Sequence, residues 1–112
     1  MIDTKLRKKL KSDILENIKV KKKIINHSKV IKNIIEIIYD TINSGNKVFI
    51  CGNGGSAADA QHLSAEFLVR LKPTNNRRAY PLISLALDTS TITACGNDYG
   101  FEKLFARSEE HT

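Results

Sequence analysis

Lys47-Val-Phe-Ile-Cys-Gly-Asn-Gly-Gly-Ser-Ala57 decides the architecture of this chain. Its first half, rich in β-branched and aromatic residues, predicts a buried strand over 47–51. Its second half, Gly52 to Ser56, is a turn whose glycines permit positive φ and a close approach of backbone to ligand. The residues that follow predict a helix from about Ala57 to Val69. A helix start directly after a strand presents unpaired N–H groups and a partial positive charge, which favour an anion such as phosphate. Gly52-Asn53-Gly54-Gly55-Ser56 therefore reads as a cradle for a phosphate or a sugar phosphate. The plainer alternative is a tight turn with no ligand. The stretch is not a Walker A loop, because no Lys stands at the required place. It meets the dinucleotide pattern only in relaxed form, with Ala57 in the third position and no acidic residue closing a second strand about 20 residues on.

Working outward, Leu82-Ile-Ser-Leu-Ala-Leu87 predicts a second strand, ended by Asp88. Strand, helix, strand with a crossover of this size implies a right-handed parallel βαβ unit. Nearly continuous apolar strands are expected where helices cover both faces of a sheet. Ligands of open parallel sheets bind at the carboxyl ends of the strands. The glycine turn leaves the first such end, and Asp88 to Asp98 leaves the second. After it the pattern predicts a short helix from Thr89 to Ala94, a turn at Gly96-Asn-Asp98, and a final helix from about Gly100.

Upstream, Leu6, Leu10, Ile14 and Ile18 recur every fourth residue, with Leu15 widening the stripe. This predicts a helix with one face to bury. A second helix is expected from about Ser28 to Ser44, with Ile31, Ile34, Ile35, Ile38 and Ile42 on one side. Ser28 suits its start and Gly45 its left-handed end. Residues 1–45 thus form a helical segment for packing or oligomerisation, and 46–112 the first part of an α/β domain.

The 112 residues, 41 % of them hydrophobic, allow one small domain. The net charge of +6 sits mainly between Lys5 and Lys32 and at Arg70, Lys72, Arg77 and Arg78. The first group carries no interleaved aromatics and reads as a solvated helix face rather than a nucleic-acid surface. The second lies beside the ligand helix, where positive charge assists an anionic substrate. No stretch reaches membrane-spanning length, and the charged N-terminus is unlike a secretory signal. Cys51 and Cys95 are too few for a disulfide framework and are expected reduced, in or near the core of a cytoplasmic protein.

His62 and Glu66 lie four apart on the helix after the glycine turn, so both side chains share one face. An imidazole and a carboxylate so placed can share a divalent metal, zinc being the natural candidate, with further ligands from elsewhere. An exposed i,i+4 pair or a core histidine is the plainer alternative. Arg70 is expected to continue that face by one more turn. Two strands do not make a stable sheet of this type, which usually needs about four to six. The chain is therefore expected to be incomplete at its C-terminus.

Ile50-Cys-Gly-Asn-Gly-Gly-Ser-Ala-Ala-Asp-Ala-Gln-His-Leu-Ser-Ala-Glu-Phe67, with Tyr80-Pro81 and Thr93-Ala-Cys-Gly-Asn-Asp-Tyr-Gly-Phe101, closely resembles the phosphoheptose isomerases of the sugar isomerase (SIS) domain family. The glycine block alone suggests only the wider family; His62 with Glu66 and the later Gly-Asn-Asp block narrow it. The resemblance implies the N-terminal half of a flavodoxin-like, three-layer αβα fold with a parallel sheet, preceded by two long helices. It implies isomerisation of sedoheptulose 7-phosphate to D-glycero-D-manno-heptose 7-phosphate by a zinc-binding cytoplasmic homotetramer. It implies substrate contacts at Asn53, Gly54, Gly55, Ser56, Arg70, Asn97 and Asp98, metal ligands at His62 and Glu66, and Glu66 as base. The family's second phosphate loop and its late Gln/His helix have no counterpart here, and His111 stands in the wrong context for that histidine. The chain alone is therefore expected to be inactive. A second reading is a non-enzymatic SIS relative that binds a replication-initiation protein; such relatives tend to lose the carboxylate that Glu66 retains.

Overall fold

The computed structural model describes residues 2–85 and 88–110. The end of the expected second strand, at Ala86 and Leu87, and His111 lie outside the described residues. By its internal contacts the chain divides into residues 1–37 and 38–112, with the division inside a helix.

The first unit holds α1 (Ile2–Lys23), a 3-10 turn (Ile24–His27) and the beginning of α2 (Ser28–Asn43). The fourfold spacing of apolar residues does form a helix. Its stripe is not buried, however: Leu6, Leu10, Ile14 and Ile18 remain 43–60 % exposed, because nothing within this unit covers that face. An open apolar groove of about 780 Å³ lies along Ile24, Ile25, Ile31 and Ile35. The polar side is solvated as expected, with Lys9 Nζ 2.5 Å from Asp13 Oδ1 and Lys32 paired with Glu36. Ser28 does not cap α2. It sits at φ −54°, ψ −35°, so helical backbone runs through it from the 3-10 turn and no extended cap residue exists.

The second unit is built on two parallel strands, β1 (Val48–Ile50) and β2 (Leu82–Ser84), in the register Val48 to Leu82, Phe49 to Ile83 and Ile50 to Ser84. The observed fold is thus α/β with a parallel sheet, two long helices preceding it. At the end of α2, Gly45 N donates to Ile42 O (3.1 Å) and Asn46 N to Thr41 O (3.0 Å), the paired bonds of a Schellman motif. The chain then enters β1. Both strands are shorter than predicted, although Leu85 N still donates to Ile50 O at 2.9 Å. β1 is half-buried along its length, whereas Leu82 and Ser84 of β2 are buried under α3 (Gly55–Leu68). Ser64 on α3 is buried and donates its hydroxyl to Leu82 O at 2.9 Å, tying helix to strand. Ala60, the other buried residue of α3, lets the helix lie close to the sheet.

After β2 the chain forms α4 (Thr89–Asp98), a 3-10 turn (Phe101–Lys103) and α5 (Leu104–Glu109). Here the expected turn at Gly96-Asn97-Asp98 is corrected, because α4 runs through it. The left-handed residue that ends this helix is Gly100, at φ +92°, and Tyr99 N and Gly100 N both donate to Cys95 O (2.9 and 3.0 Å). Cys95 and Leu104 are buried where α4 and α5 pack together. Cys51 departs from expectation. It lies one residue past β1, beyond the strand pairing, and is exposed.

Candidate functional site

Because the two strands are parallel and in register, the segments leaving Ile50 and Ser84 emerge from one edge of the sheet. The glycine turn departs from the first. Gly54 takes φ 57°, ψ −120° and serves as the N-terminal cap of α3 without any side-chain hydrogen bond. A side chain at this backbone conformation would be strained. Gly52 is demanded for a different reason. A Cβ added there would meet the backbone carbon of Ser56 at 2.6 Å and its Cβ at 2.7 Å. The first turn of α3 therefore rests directly on the strand's end, and only a hydrogen fits between them. The helix opens with tight bonds, Ser56 N to Asn53 O and Ala57 N to Gly54 O, both 3.1 Å. Asn53, Gly54, Gly55 and Ser56 are all exposed around this start.

Two turns further on, α3 brings its candidate chemistry together. His62 Nε2 lies 3.1 Å from Glu66 Oε1, the contact expected of an i,i+4 pair. Their environments differ. The His62 side chain is 79 % exposed, while that of Glu66 is only 25 % exposed. A half-buried carboxylate facing an open imidazole suits both proton transfer and metal ligation. Among the described residues no group of three potential ligands gathers, so this pair fits zinc only as part of a larger ligand set.

Arg70 does not extend that face. α3 ends at Leu68, Val69 turns away at φ −101°, ψ −83°, and Arg70 Nη1 donates to Pro73 O at 2.9 Å. Its guanidinium thus braces the following loop, because the helix stops before the turn that would have carried it. Asn97 and Asp98 occupy the last turn of α4, exposed, with Asn97 Nδ2 donating to Asp98 Oδ1 at 3.1 Å. They belong to the segment that leaves the second strand.

The structural roles of three residues escaped the reading of the sequence. Asp88 caps α4, its carboxylate accepting Thr91 N at 2.8 Å. Hydrogen bonding from Thr91, through its side chain first and its amide second, holds the Asp88 carboxyl below the ordinary value of 3.8. An Asp directly before a run of Thr and Ser was a readable cap signal. Ser64, the buried tie to Leu82, gave no sign except its place on the inner face of α3. Arg77 is the third. Its guanidinium reaches back to the C-terminal end of α3 and lies over Tyr80, 4.2 Å from the ring centroid. Nothing local in the sequence encodes that contact.

The SIS domain family matches residues 12–111 of the chain. Phosphoheptose isomerase of Chlorobaculum tepidum is 52 % identical over 83 residues, which cover 74 % of this chain and 40 % of that protein. That of Geotalea daltonii is 45 % identical over 102 residues, covering 81 % and 52 %. Among solved structures, a phosphoheptose isomerase from Francisella tularensis superimposes with a TM-score of 0.81 at 34 % identity, over 89 % of this chain and 52 % of that one. The phosphoheptose isomerase of Neisseria gonorrhoeae gives 0.74 at 29 % identity, over 95 % and 54 %. The chain spans about half the length of the curated relatives it matches. A parallel βαβ unit with a glycine-started helix, two helices ahead of it, and a family match over nearly every residue lead to one conclusion: this chain belongs to the SIS domain family.

Proposed function

We propose that this chain supplies the phosphate-holding turn and the proton-transferring helix of a sugar-phosphate isomerase, and that its substrate is sedoheptulose 7-phosphate. The observation that carries the reading is the half-buried Glu66 carboxylate, 3.1 Å from His62, on the helix that the Gly54 cap begins. The kinship with phosphoheptose isomerases supports the substrate class. The product is D-glycero-D-manno-heptose 7-phosphate, in the first step toward nucleotide-activated heptose for bacterial surface glycans.

The reaction moves a carbonyl from C2 to C1. A proton leaves C1 to give an enediolate, and a proton is then returned to C2. Glu66 is the group that removes and returns it, which is a task for a carboxylate held over both carbons. His62 steadies that carboxylate through the facing ring nitrogen. Asn53, Gly54, Gly55 and Ser56 hold the anionic end of the sugar at the start of α3, where the helix dipole favours negative charge. Asn97 and Asp98 bind sugar hydroxyls from the second segment. Arg70 adds positive charge to the surroundings while its guanidinium stays on Pro73 O.

His62 and Glu66 would hold a zinc ion together with ligands from outside the described residues. When bound, zinc supplies positive charge that favours negative charge developing on the sugar oxygens. The exposed apolar stripe of α1 and the groove beside α2 support assembly into a homo-oligomer, a homotetramer in our reading, in the cytoplasm. Retention of Glu66 argues against the partner-binding alternative, since a purely binding role has no need of a carboxylate there.

The test is a hybrid chain in which residues 1–110 are followed by the C-terminal part of the Chlorobaculum tepidum protein. It should convert sedoheptulose 7-phosphate, and the 112-residue chain alone should not. A folded, oligomeric hybrid without isomerase activity would refute the proposal.

A further inference from the structure

The two helices that flank β1 end differently. α2 closes on Gly45 with both bonds of a Schellman motif. α3 has no glycine at its end. Val69 N returns only to Ala65 O, at 2.9 Å, and the next carbonyls are left without amides from the helix itself. Arg77 takes them. Its Nη2 donates to Glu66 O at 2.7 Å and its Nη1 to Phe67 O at 2.8 Å, while Nη1 also reaches Arg78 O at 2.9 Å. Tyr80 N adds a second bond to Phe67 O at 3.0 Å, and the Tyr80 ring supports the guanidinium from below.

A cation at a helix C-terminus interacts favourably with the dipole and satisfies open carbonyls. Only arginine does both with a planar fork that spans two acceptors and also stacks on an aromatic face. What matters here is which carbonyl the fork grips. It is that of Glu66 itself, in the last turn, where a helix otherwise frays. The backbone angles of Glu66 set the direction of its Cα–Cβ bond, and so the line from its carboxylate to His62. Half an ångström or 10–20° of drift is enough to spoil a reacting geometry.

We propose that Arg77 is a positioning residue for Glu66: by bracketing the Glu66 and Phe67 carbonyls against Tyr80, it holds the final turn of α3 so that the carboxylate meets both His62 and the substrate. The inference rests on the reading of Glu66 as the proton-transferring group. It adds a requirement outside that reading, namely that a loop residue whose guanidinium bonds backbone carbonyls controls the rate.

The experiment is a kinetic cycle in the hybrid isomerase. Arg77→Lys keeps the charge but loses the fork. It should lower kcat about 10- to 100-fold, the cost of misplacing a reacting group by about an ångström, with KM essentially unchanged. Arg78→Lys, whose guanidinium stands farther from Tyr80, should leave kcat unaltered. In a Glu66→Gln background Arg77→Lys should cost nothing more, since its effect passes through the carboxylate. A full additional loss in that background would show a merely structural arginine and overturn the proposal. Near-normal turnover of Glu66→Gln would instead sink the reading of Glu66. In the hybrid, side-chain NMR couplings should report one Glu66 rotamer that becomes averaged in Arg77→Lys, with Gln61 unchanged. A Glu66 rotamer that stays fixed in that variant would overturn the proposal without reference to activity.

Discussion

Two strand-to-helix junctions leave the same edge of this sheet, and they are made in opposite ways. At the β2–α4 junction, Asp88 turns its own carboxylate onto Thr91 N and closes the helix start from within. At the β1–α3 junction the cap is Gly54, which has no side chain to offer. A helix start that carries its own anion has little use for another; one left with bare backbone can take a phosphate. The geometry therefore separates a self-capped junction from one whose helix start is left open, though both follow strands of a single parallel pair. The same division continues along the helices. α3 places His62 and Glu66 in contact, whereas the positions equally far from the start of α4, Gly96 and Gly100, have no side chains to form such a pair.

The largest expected effect tests that separation directly. In the hybrid isomerase, Glu66→Gln should reduce kcat by about 10²- to 10⁴-fold, the range for a missing general base, with KM little changed. Asp88→Asn, at the self-capped junction, should leave turnover within about twofold, since Asn caps a helix about as well as Asp and the change does not touch the reacting atoms. Comparable losses in the two variants, measured by steady-state kinetics, would erase the distinction.

A second pair of variants compares glycines by urea denaturation. Gly52→Ala forces a methyl against Ser56 and should destabilise the fold by about 1–3 kcal/mol. Gly96→Ala, in the interior of α4 with open space around it, should stabilise by about 1 kcal/mol. Equal effects would mean that the close approach at Gly52 relaxes without strain. Ser64→Ala should cost about 1 kcal/mol through the lost bond to Leu82 O, and should lower stability without shifting the activity of the hybrid beyond its folded fraction.

The smallest effect is a pH dependence. Since the folded Asp88 pKa is depressed, its contribution is complete above the ordinary value of 3.8 and is lost as pH falls through the lower folded value. α4 should therefore lose helix signal in that acid range, and Asp88→Asn should abolish this component. Persistence of the component in the variant would assign it to another carboxylate.

The sheet, the glycine turn and the His62–Glu66 contact were legible because they depend on local sequence: short, nearly continuous apolar runs for strands, a spacing of four residues for helix neighbours. The closure of α2 at Gly45 was legible for the same reason. α4 misled because Gly96-Asn97-Asp98 has turn composition. Packing of Cys95 and the stop supplied by Gly100 outweigh the propensity cost of one helical glycine. Arg70 was misplaced because α3 ends at Leu68, as its pattern suggested to within a residue, and the chain turns away at Val69 before a further turn can carry Arg70 along that face. Arg77 could not be found, since its contacts span ten and eleven positions and depend on how the 73–81 loop folds back. The stripe of α1 was readable as a periodicity, yet the surface that covers it is not written in these residues.

Cys51 stands one residue before the glycine turn with its thiol in solvent, whereas Cys95 is shut inside the packing of α4 and α5. A thiol-selective alkylating reagent should thus mark position 51 long before position 95. The molecule carries its own footprinting probe beside the helix start, so occupancy of the turn could be followed by the slowing of a single labelling reaction, with no tag and no substitution.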